Sequence, residues 1–481
     1  MSRSPVYGIP ANIPGTQGID FYPDPEKHEE GEVQKKVRSY AGYADVDGPG
    51  PAKSHLFYWF FESQTCDPNA DATAQQELID ATPLLIWLNG GPGASSLLGL
   101  FLENGPLRVG DDAAGTVSVS PDTWNQEAHV VYWDQPIGTG YSYCDTPDTY
   151  VEDEETLSQM FWQALQQFFT TYPEYAKCPL YVCGESYAGK YVPAIALEII
   201  EQNKRQDGRP IELKGIAVGN GWIKPELSVR VMIDSAYASG FIGVNQKNTL
   251  YDRYAAFQSV LQEGEKTQDR QKLKQATDLG NGLVNAVLAY GGNFDVYDVR
   301  RWDDLSMGAL RSYLNSADVK NALHVDRDWQ CQDNAGPVAT ALKCDNMADA
   351  SPLYAELINK GCKTLLYTGN FDTACGYQST EEILDGIMMV SNDWRGAKRL
   401  IWKQAQGNPK GFVRTLKNKS IDVTQVSVPG SGHQVPAYQP QICREMLYNW
   451  LFERPVPGQN PESVAQSILD KAEEEAEHEK G

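Results

Sequence analysis

Three observations predict an α/β chain, with a central, mainly parallel sheet flanked by helices and a mostly helical cap inserted into it. Apolar β-prone runs alternate with helical ones between residues 130 and 218, and strand, helix, strand in succession implies right-handed crossovers joining parallel strands. The run at 180–183 stops abruptly in Gly184-Glu-Ser-Tyr-Ala-Gly189, and 190–203 then reads as helix, so this point is a sharp strand-to-helix turn. From about residue 225 to 311 the strand signature disappears and amphipathic helical spacing, as over 262–289, replaces it. The expected organisation is a first core part over 1–224 with an extended N-terminal arm, a helical cap over 225–311, a second core part over 312–455 and an acidic tail over 456–481.

In chain order, the first 50 residues are rich in Gly, Pro, Asp and Tyr and read as an extended arm leading into a hairpin, followed by a β run at 55–62. Residues 67–80 read as a polar loop before a strand at 83–88, which runs into Asn89-Gly90-Gly91-Pro92-Gly93. A buried strand at 130–133, a helix at 154–170, the turn-bearing strand at 180–183 and a strand at 213–218 complete the first alternation. Beyond the cap, a helix at 316–324 and a strand at 363–367 return to the sheet, joined by β runs at 399–403, 411–416 and 422–428. A helix at 438–452 follows, and the tail from Asn460 adds a helix with Val464, Ile468 and Leu469 on one face before a charged, solvated run from Lys471 to Lys480.

Length and charge exclude several functions. A chain of 481 residues buries a large core, and 41 Lys and Arg against 64 Asp and Glu leave a formal charge of −23. Such a field repels phosphate backbones and anionic lipid, so neither nucleic acid nor a membrane is an expected partner. The longest apolar runs, 56–61 and 83–88, fall far short of the ~20 residues that span a bilayer. The first residues lack the apolar segment of a signal peptide, so the chain as written reads as cytoplasmic. Nine cysteines are an odd number, so at least one thiol stays unpaired in the monomer, and Cys331 with Cys344, flanking a short loop, are the candidates for a disulfide. Zinc-type CxxC spacings are absent, no metal or cofactor is expected, and the oligomeric state stays open, a homodimer included.

The chemistry lies at strand ends. Small residues at Gly184 and Ala188 let the chain turn tightly, so Ser186 projects at the C-terminal end of the sheet above a helix N-terminus that favours developing negative charge. Gly90-Gly91-Pro92-Gly93 bares backbone N–H groups, as an oxyanion hole requires; read alone, it is equally a tight β-turn. A serine nucleophile needs a base, and in this architecture acid and histidine follow the serine along the chain. His28, His55 and His129 precede Ser186, His324 falls within a helical pattern and His478 lies in the tail. His433 alone follows a sheet strand in a glycine-rich loop, and Asp372, just past the strand at 363–367, is its natural orienting carboxylate.

With these residues in order, the chain resembles the serine carboxypeptidases of the α/β-hydrolase fold. The motifs are Leu56 to Glu62, Trp87 to Gly93, Asp134-Gln-Pro136, Gly184 to Gly189, Gly219-Asn-Gly221 and Gly432-His433 with Val435-Pro436. The resemblance implies that Ser186, Asp372 and His433 form a triad, with Gly91 and Tyr187 supplying the oxyanion N–H groups. It further implies that Trp87, Asn89, Gly90 and Glu185 grip the terminal carboxylate of a peptide substrate, that Glu103 pairs with Glu185, and that Cys375 is a free thiol near the substrate pocket. Its implied activity is removal of C-terminal residues through an acyl-enzyme. Some relatives use the same triad as acyltransferases, but these tend to carry Asp where Glu185 stands. A binding protein without catalysis would be expected to lose a triad position, and none is lost. The chain departs from the family at Ala94, where a disulfide-forming Cys is usual, and at Gln434, after the histidine, where Met or an acid is common.

Overall fold

Buried apolar runs too short for helices make the sheet, and the computed structural model describes it through residues 6–7, 38–66, 71–110, 117–303, 307–331, 336–387, 392–403 and 407–478. The strands in order are β1 (Val6–Tyr7), β2 (Arg38–Asp47), β3 (Lys53–Phe61), β4 (Leu84–Leu88), β5 (Leu107–Val109), β6 (Val117–Val119), β7 (His129–Trp133) and β8 (Tyr143–Cys144). They continue as β9 (Leu180–Glu185), β10 (Leu213–Gly219), β11 (Lys363–Gly369), β12 (Arg399–Trp402), β13 (Gly411–Lys417), β14 (Asp422–Val428) and β15 (Gly458–Gln459). The main sheet runs β1-β2-β3-β7-β4-β9-β10-β11-β14-β13-β12-β15. The stretch from β7 to β14 is parallel, whereas both flanks are antiparallel. Every residue of β4, β7 and β9 is buried, as expected of strands covered on both faces.

One face is covered by α2 (Glu154–Thr171) and α3 (Ala188–Arg205), whose apolar stripes (Leu157, Phe161, Phe168; Val192, Ile195, Ile199) join the core there. The other face packs Trp59, Trp87, Tyr132 and Trp402 against the C-terminal segment around Leu447. Residues 225–290 form a separate small core built from Val229, Phe257, Leu283 and their neighbours.

Several expectations need correction. Residues 71–81, expected as loop, form α1 (Ala72–Ala81), because the Asp71 carboxylate accepts from the Thr73 and Ala74 N–H groups and caps the first turn; residues 67–70 lie outside the described ones. The helix expected across 262–289 is two. After α4 (Pro225–Ala238), α5 (Val244–Thr267) ends where Gln268 takes a left-handed φ of 54°, and α6 (Arg270–Tyr290) starts under an Asp269 cap. The helix at 316–324 appears as α8 (Ala317–Leu323), after α7 (Gly308–Leu314), and His324 terminates it at φ 58°. Four helices follow that carried no clear sequence signal, α9 (Pro337–Ala341), α10 (Ser351–Asn359), α11 (Tyr377–Ile387) and α12 (Asn392–Gly396).

The helix expected over 438–452 breaks before Pro440 into α13 (Val435–Tyr438) and α14 (Pro440–Leu451), since proline fits the first turn and not a helix interior. The tail helix, α15 (Pro461–His478), runs on into the charged stretch expected to follow it, and the described side chains there, 471–473, are exposed. Of the N-terminal arm, residues 8–37 lie outside the described ones, and the expected hairpin is the β2–β3 pair. No disulfide joins Cys331 to Cys344. Cys344 closes a 3₁₀ turn against the start of α6, where its thiol donates to the Arg270 carbonyl. No helix among the described residues is long and apolar enough to cross a membrane.

Candidate active site

The turn after β9 holds Ser186 at φ 64°, a left-handed conformation that non-glycine residues adopt only when their surroundings impose it. Three hydrogen bonds impose it here: the Ser186 N–H donates to the Gly219 carbonyl (3.1 Å), and the N–H groups of Gly189 and Trp222 both donate to the Ser186 carbonyl (2.8 Å). A Cβ on Gly184 would lie 2.6 Å from the Ala188 Cβ, so glycine at 184 is what lets alanine occupy 188.

His433 and Asp372 come from neighbouring parallel strands. Gly369, ending β11, pairs with Val428, ending β14, so the loops bearing Asp372 and His433 leave the same sheet edge. The Asp372 carboxylate lies 2.7 Å from His433 Nδ1 and accepts from Asn220 Nδ2 (2.6 Å) and from the N–H groups of Ala374 (2.9 Å) and Cys375 (3.3 Å). The Tyr297 carbonyl receives the His433 N–H at 2.7 Å while the tyrosine ring packs on the imidazole. Those contacts leave buried His433 Nε2 without a hydrogen-bond partner, and His433 and Ser186 line one cavity of about 390 Å³.

The glycine loop closes over the turn. A Cβ on Gly90 would stand 2.3 Å from the Tyr187 nitrogen, so only glycine lets this backbone lie against the residue after the serine; Gly91 adopts φ 106°. Asn89 organises the loop. Its Oδ1 accepts from Trp87 Nε1 (2.8 Å) and the Gly99 N–H (3.0 Å), its N–H donates to Ser96 Oγ (3.1 Å), and its Nδ2 donates to Glu103 Oε1 (2.9 Å). Glu103 ends a π-helical turn, Gly99–Glu103, and meets Glu185 in full burial. Burial foremost, then the neighbouring Glu103 carboxylate, push the Glu185 carboxyl well above the usual range. Glu103 is also raised by burial, an effect opposed by its hydrogen bonds with Glu185 and Asn89.

Of the residues singled out in the sequence, Asn89, Gly90, Gly91, Glu185, Ser186 and His433 line the cavity; Trp87, Glu103 and Tyr187 stand behind them. Cys375 does not line it. Its buried thiol, pushed well up by burial, sits behind Asp372, with Sγ, carboxylate and imidazole all within 4.8 Å. Those three side chains could converge on an ion, but the carboxylate already accepts four hydrogen bonds, which suits orientation of the imidazole. Sequence reasoning noted Gly219-Asn-Gly221 without giving Asn220 a role. The signal was there: Asn220 follows a parallel strand end, at φ 43°, on the same edge. The cavity walls Leu98, Leu102, Asp295 and Met307 carried no sequence signal. Two other histidines are engaged elsewhere: His129 is buried, held down to about 3 by that burial, and accepts from the Ser63 N–H, while His55 bridges Asp45 and Asp145.

A serine on a strand-to-helix turn, with an acid and a histidine on later strand ends of a mainly parallel sheet, defines an α/β-hydrolase fold. The chain belongs to the serine carboxypeptidase family, which matches residues 27–453, and is by that membership a serine-type carboxypeptidase. It is 32% identical over 418 residues to a probable serine carboxypeptidase of Dictyostelium discoideum, covering 84% of this chain and 77% of that one. It is 30% identical to serine carboxypeptidase-like 48 of Arabidopsis thaliana, covering 86% of this chain and 78% of that one. The crystal structure of a prohormone-processing carboxypeptidase from Saccharomyces cerevisiae superposes with a TM-score of 0.73 at 24% identity, covering 92% of this chain and 94% of that one, a likeness of fold.

Proposed function

We propose that the protein hydrolyses the C-terminal peptide bond of peptides bearing a free terminal carboxylate, through an acyl-enzyme on Ser186. His433 Nε2 takes the Ser186 Oγ proton as the oxygen attacks the scissile carbonyl carbon, and Asp372 holds the imidazole and stabilises its cation. The N–H groups of Gly91 and Tyr187 receive the oxyanion. The tetrahedral intermediate expels the terminal amino acid as its amine takes the proton from His433, and water then releases the acyl group by the same steps reversed. The terminal carboxylate is gripped by Asn89, the Gly90 N–H and the proton-bearing Glu185–Glu103 pair, with Trp87 holding Asn89 from behind.

One observation carries this reading: an unpartnered His433 Nε2 and Ser186 share a cavity with Asn89 and with a glutamate buried on a second glutamate. Two acids brought together in burial are costly unless they serve an anion, and an anion beside the nucleophile is what a peptide C-terminus presents. The test is incubation with an N-blocked dipeptide library and with activated acyl donors plus alcohols, read by mass. Release of free amino acids by wild type, with Ser186→Ala silent and unlabelled by an organophosphonate, is the expected result. Ester formation without amino acid release overturns it. Asp372→Asn is expected to lose about 10⁴-fold in kcat, the scale for a misoriented imidazole.

A further inference from the structure

Far along the sheet from Ser186, the antiparallel flank carries a second groove. It encloses about 600 Å³ over a floor that includes Trp402, Val413 and Trp450. Trp450 is 6% exposed, and its indole N–H is buried without a hydrogen-bond acceptor. Lysines 363, 398 and 417 rim the groove against Asp422 and Glu453. Lys363 and Lys417 share Glu453, and Lys417 also meets Asp422, but Lys398 has no partner among the described residues. In a chain of net charge −23 this is a local cationic mouth over an apolar bed.

Beside that mouth stands a helix with its apolar residues in water. β15 pairs with Ile401 and Trp402 of β12, and the Asn460 side chain accepts from the Glu462 N–H, so α15 is launched from the groove's own rim in a fixed direction. Ile468 and Leu469 are 62% and 57% exposed, about 10 Å along the axis from Pro461. The described side chains from 465 to 473 are exposed throughout, Ile468 and Leu469 among them. The polar face of the helix carries Glu462, Asp470 and Glu473 against Lys471.

We propose that α15 is an exchange arm: Ile468 and Leu469 of one copy seat in the groove over Trp402 and Trp450 of a second copy of this chain, with the acidic face of the helix against Lys398 and its neighbours. A twofold arrangement uses both grooves and both arms at once, which closes the assembly at a dimer. Two copies of charge −23 repel over most of their surfaces, so the one place where anionic helix meets cationic mouth sets where they touch. The site lies apart from the catalytic cavity, and monomer and dimer hydrolyse the same substrates.

Sedimentation velocity and light scattering on the full chain across the micromolar range test the proposal. Wild type is expected at dimer mass, and I468E/L469E at monomer mass with an unchanged circular dichroism spectrum and unchanged peptide kcat/KM; both side chains are exposed, so folding is not at stake. Lys398→Glu is expected to raise the dimer dissociation constant by about tenfold, a difference that shrinks in high salt. A wild-type protein that stays monomeric overturns the proposal, as does a dimer that survives I468E/L469E. Calorimetric uptake of dodecanoate by monomeric wild type, weakened by Lys398→Glu, would assign the groove to lipid-like anions and equally overturn it.

Discussion

Glu103 and Glu185 meet where the catalytic cavity opens, while Glu154 and Asp345 meet away from it, against the first turn of α3, and the two pairs solve the same problem with different neighbours. Burial, followed by the facing acid, pushes Glu185 and Glu154 well above the usual carboxyl range, although the Asp345 side chain stays 19% exposed. The second pair has a resident cation. Lys190, 1% exposed, donates to the Asp345 and Ala348 carbonyls (2.6 Å each), lies 3.6 Å from the Asp345 carboxylate, and shares that carboxylate with the Tyr187 hydroxyl (3.1 Å). The first pair instead faces Asn89 and the space a substrate enters. A pair with its own cation braces the helix behind Ser186, whereas a pair without one faces the cavity, where the proposed function has it meet a substrate carboxylate.

The largest effect should come from breaking the braced pair. Lys190→Met leaves the Asp345 and Ala348 carbonyls without their lysine donor and the Asp345 carboxylate without its cation, with Tyr187 as its remaining donor, and is expected to destabilise the fold by about 3–5 kcal/mol, read as a fall in denaturation midpoint. A loss below 1 kcal/mol would mean water already serves those oxygens. Next comes the open pair. While Glu185 holds its proton it donates toward the substrate carboxylate, so peptide KM should be low in acid and climb, by about tenfold or more, as the proton is lost. A C-terminal amide lacks that carboxylate, and its KM should stay flat. Glu185→Gln, which donates without titrating, should flatten the peptide profile and barely move the amide one; identical profiles for peptide and amide in wild type would remove the pair from substrate binding.

The smallest effect separates the pairs by stability. A carboxyl raised on folding makes the native state bind more protons than the unfolded one, so stability falls as pH climbs from the unfolded carboxyl value, about 4.3, toward the folded one. Glu154→Gln should remove its share of that decline, leaving a protein as active as wild type and modestly more stable in alkali, measured by urea unfolding at several pH values. A steeper alkaline decline in the variant would mean that Glu154 is not the proton carrier.

Much of this candidate site could be read along the chain because each residue proposed for the chemistry sits at a strand end, where an apolar run breaks into glycine and polar residues. Ser186, Asp372 and His433 stand out for that reason, and their order is the order of the strands that carry them. The Glu154–Asp345 pair was invisible. Both residues look like ordinary surface acids at helix ends, and nothing local marks that a lysine buried on α3 will draw them inward. The cap misled for a related reason, since the periodicity across 262–289 is real but belongs to two helices that pack on each other, and the break depends on one aspartate cap.

By itself the sequence determined the alternation of strand and helix, the tight turn at Ser186 and the placing of Asp372 and His433 just past later strand ends, because those follow from local propensity, from glycine's freedom and from the fixed direction of parallel crossovers. Only the tertiary structure decided which carboxyl groups are brought against each other, that Cys375 lies behind Asp372 and outside the cavity, that the sheet turns antiparallel at both flanks, and that Cys331 and Cys344 are not joined. Each of those depends on distances between residues far apart in the chain and on how completely packing excludes water from them, which no pattern of neighbours along the sequence encodes.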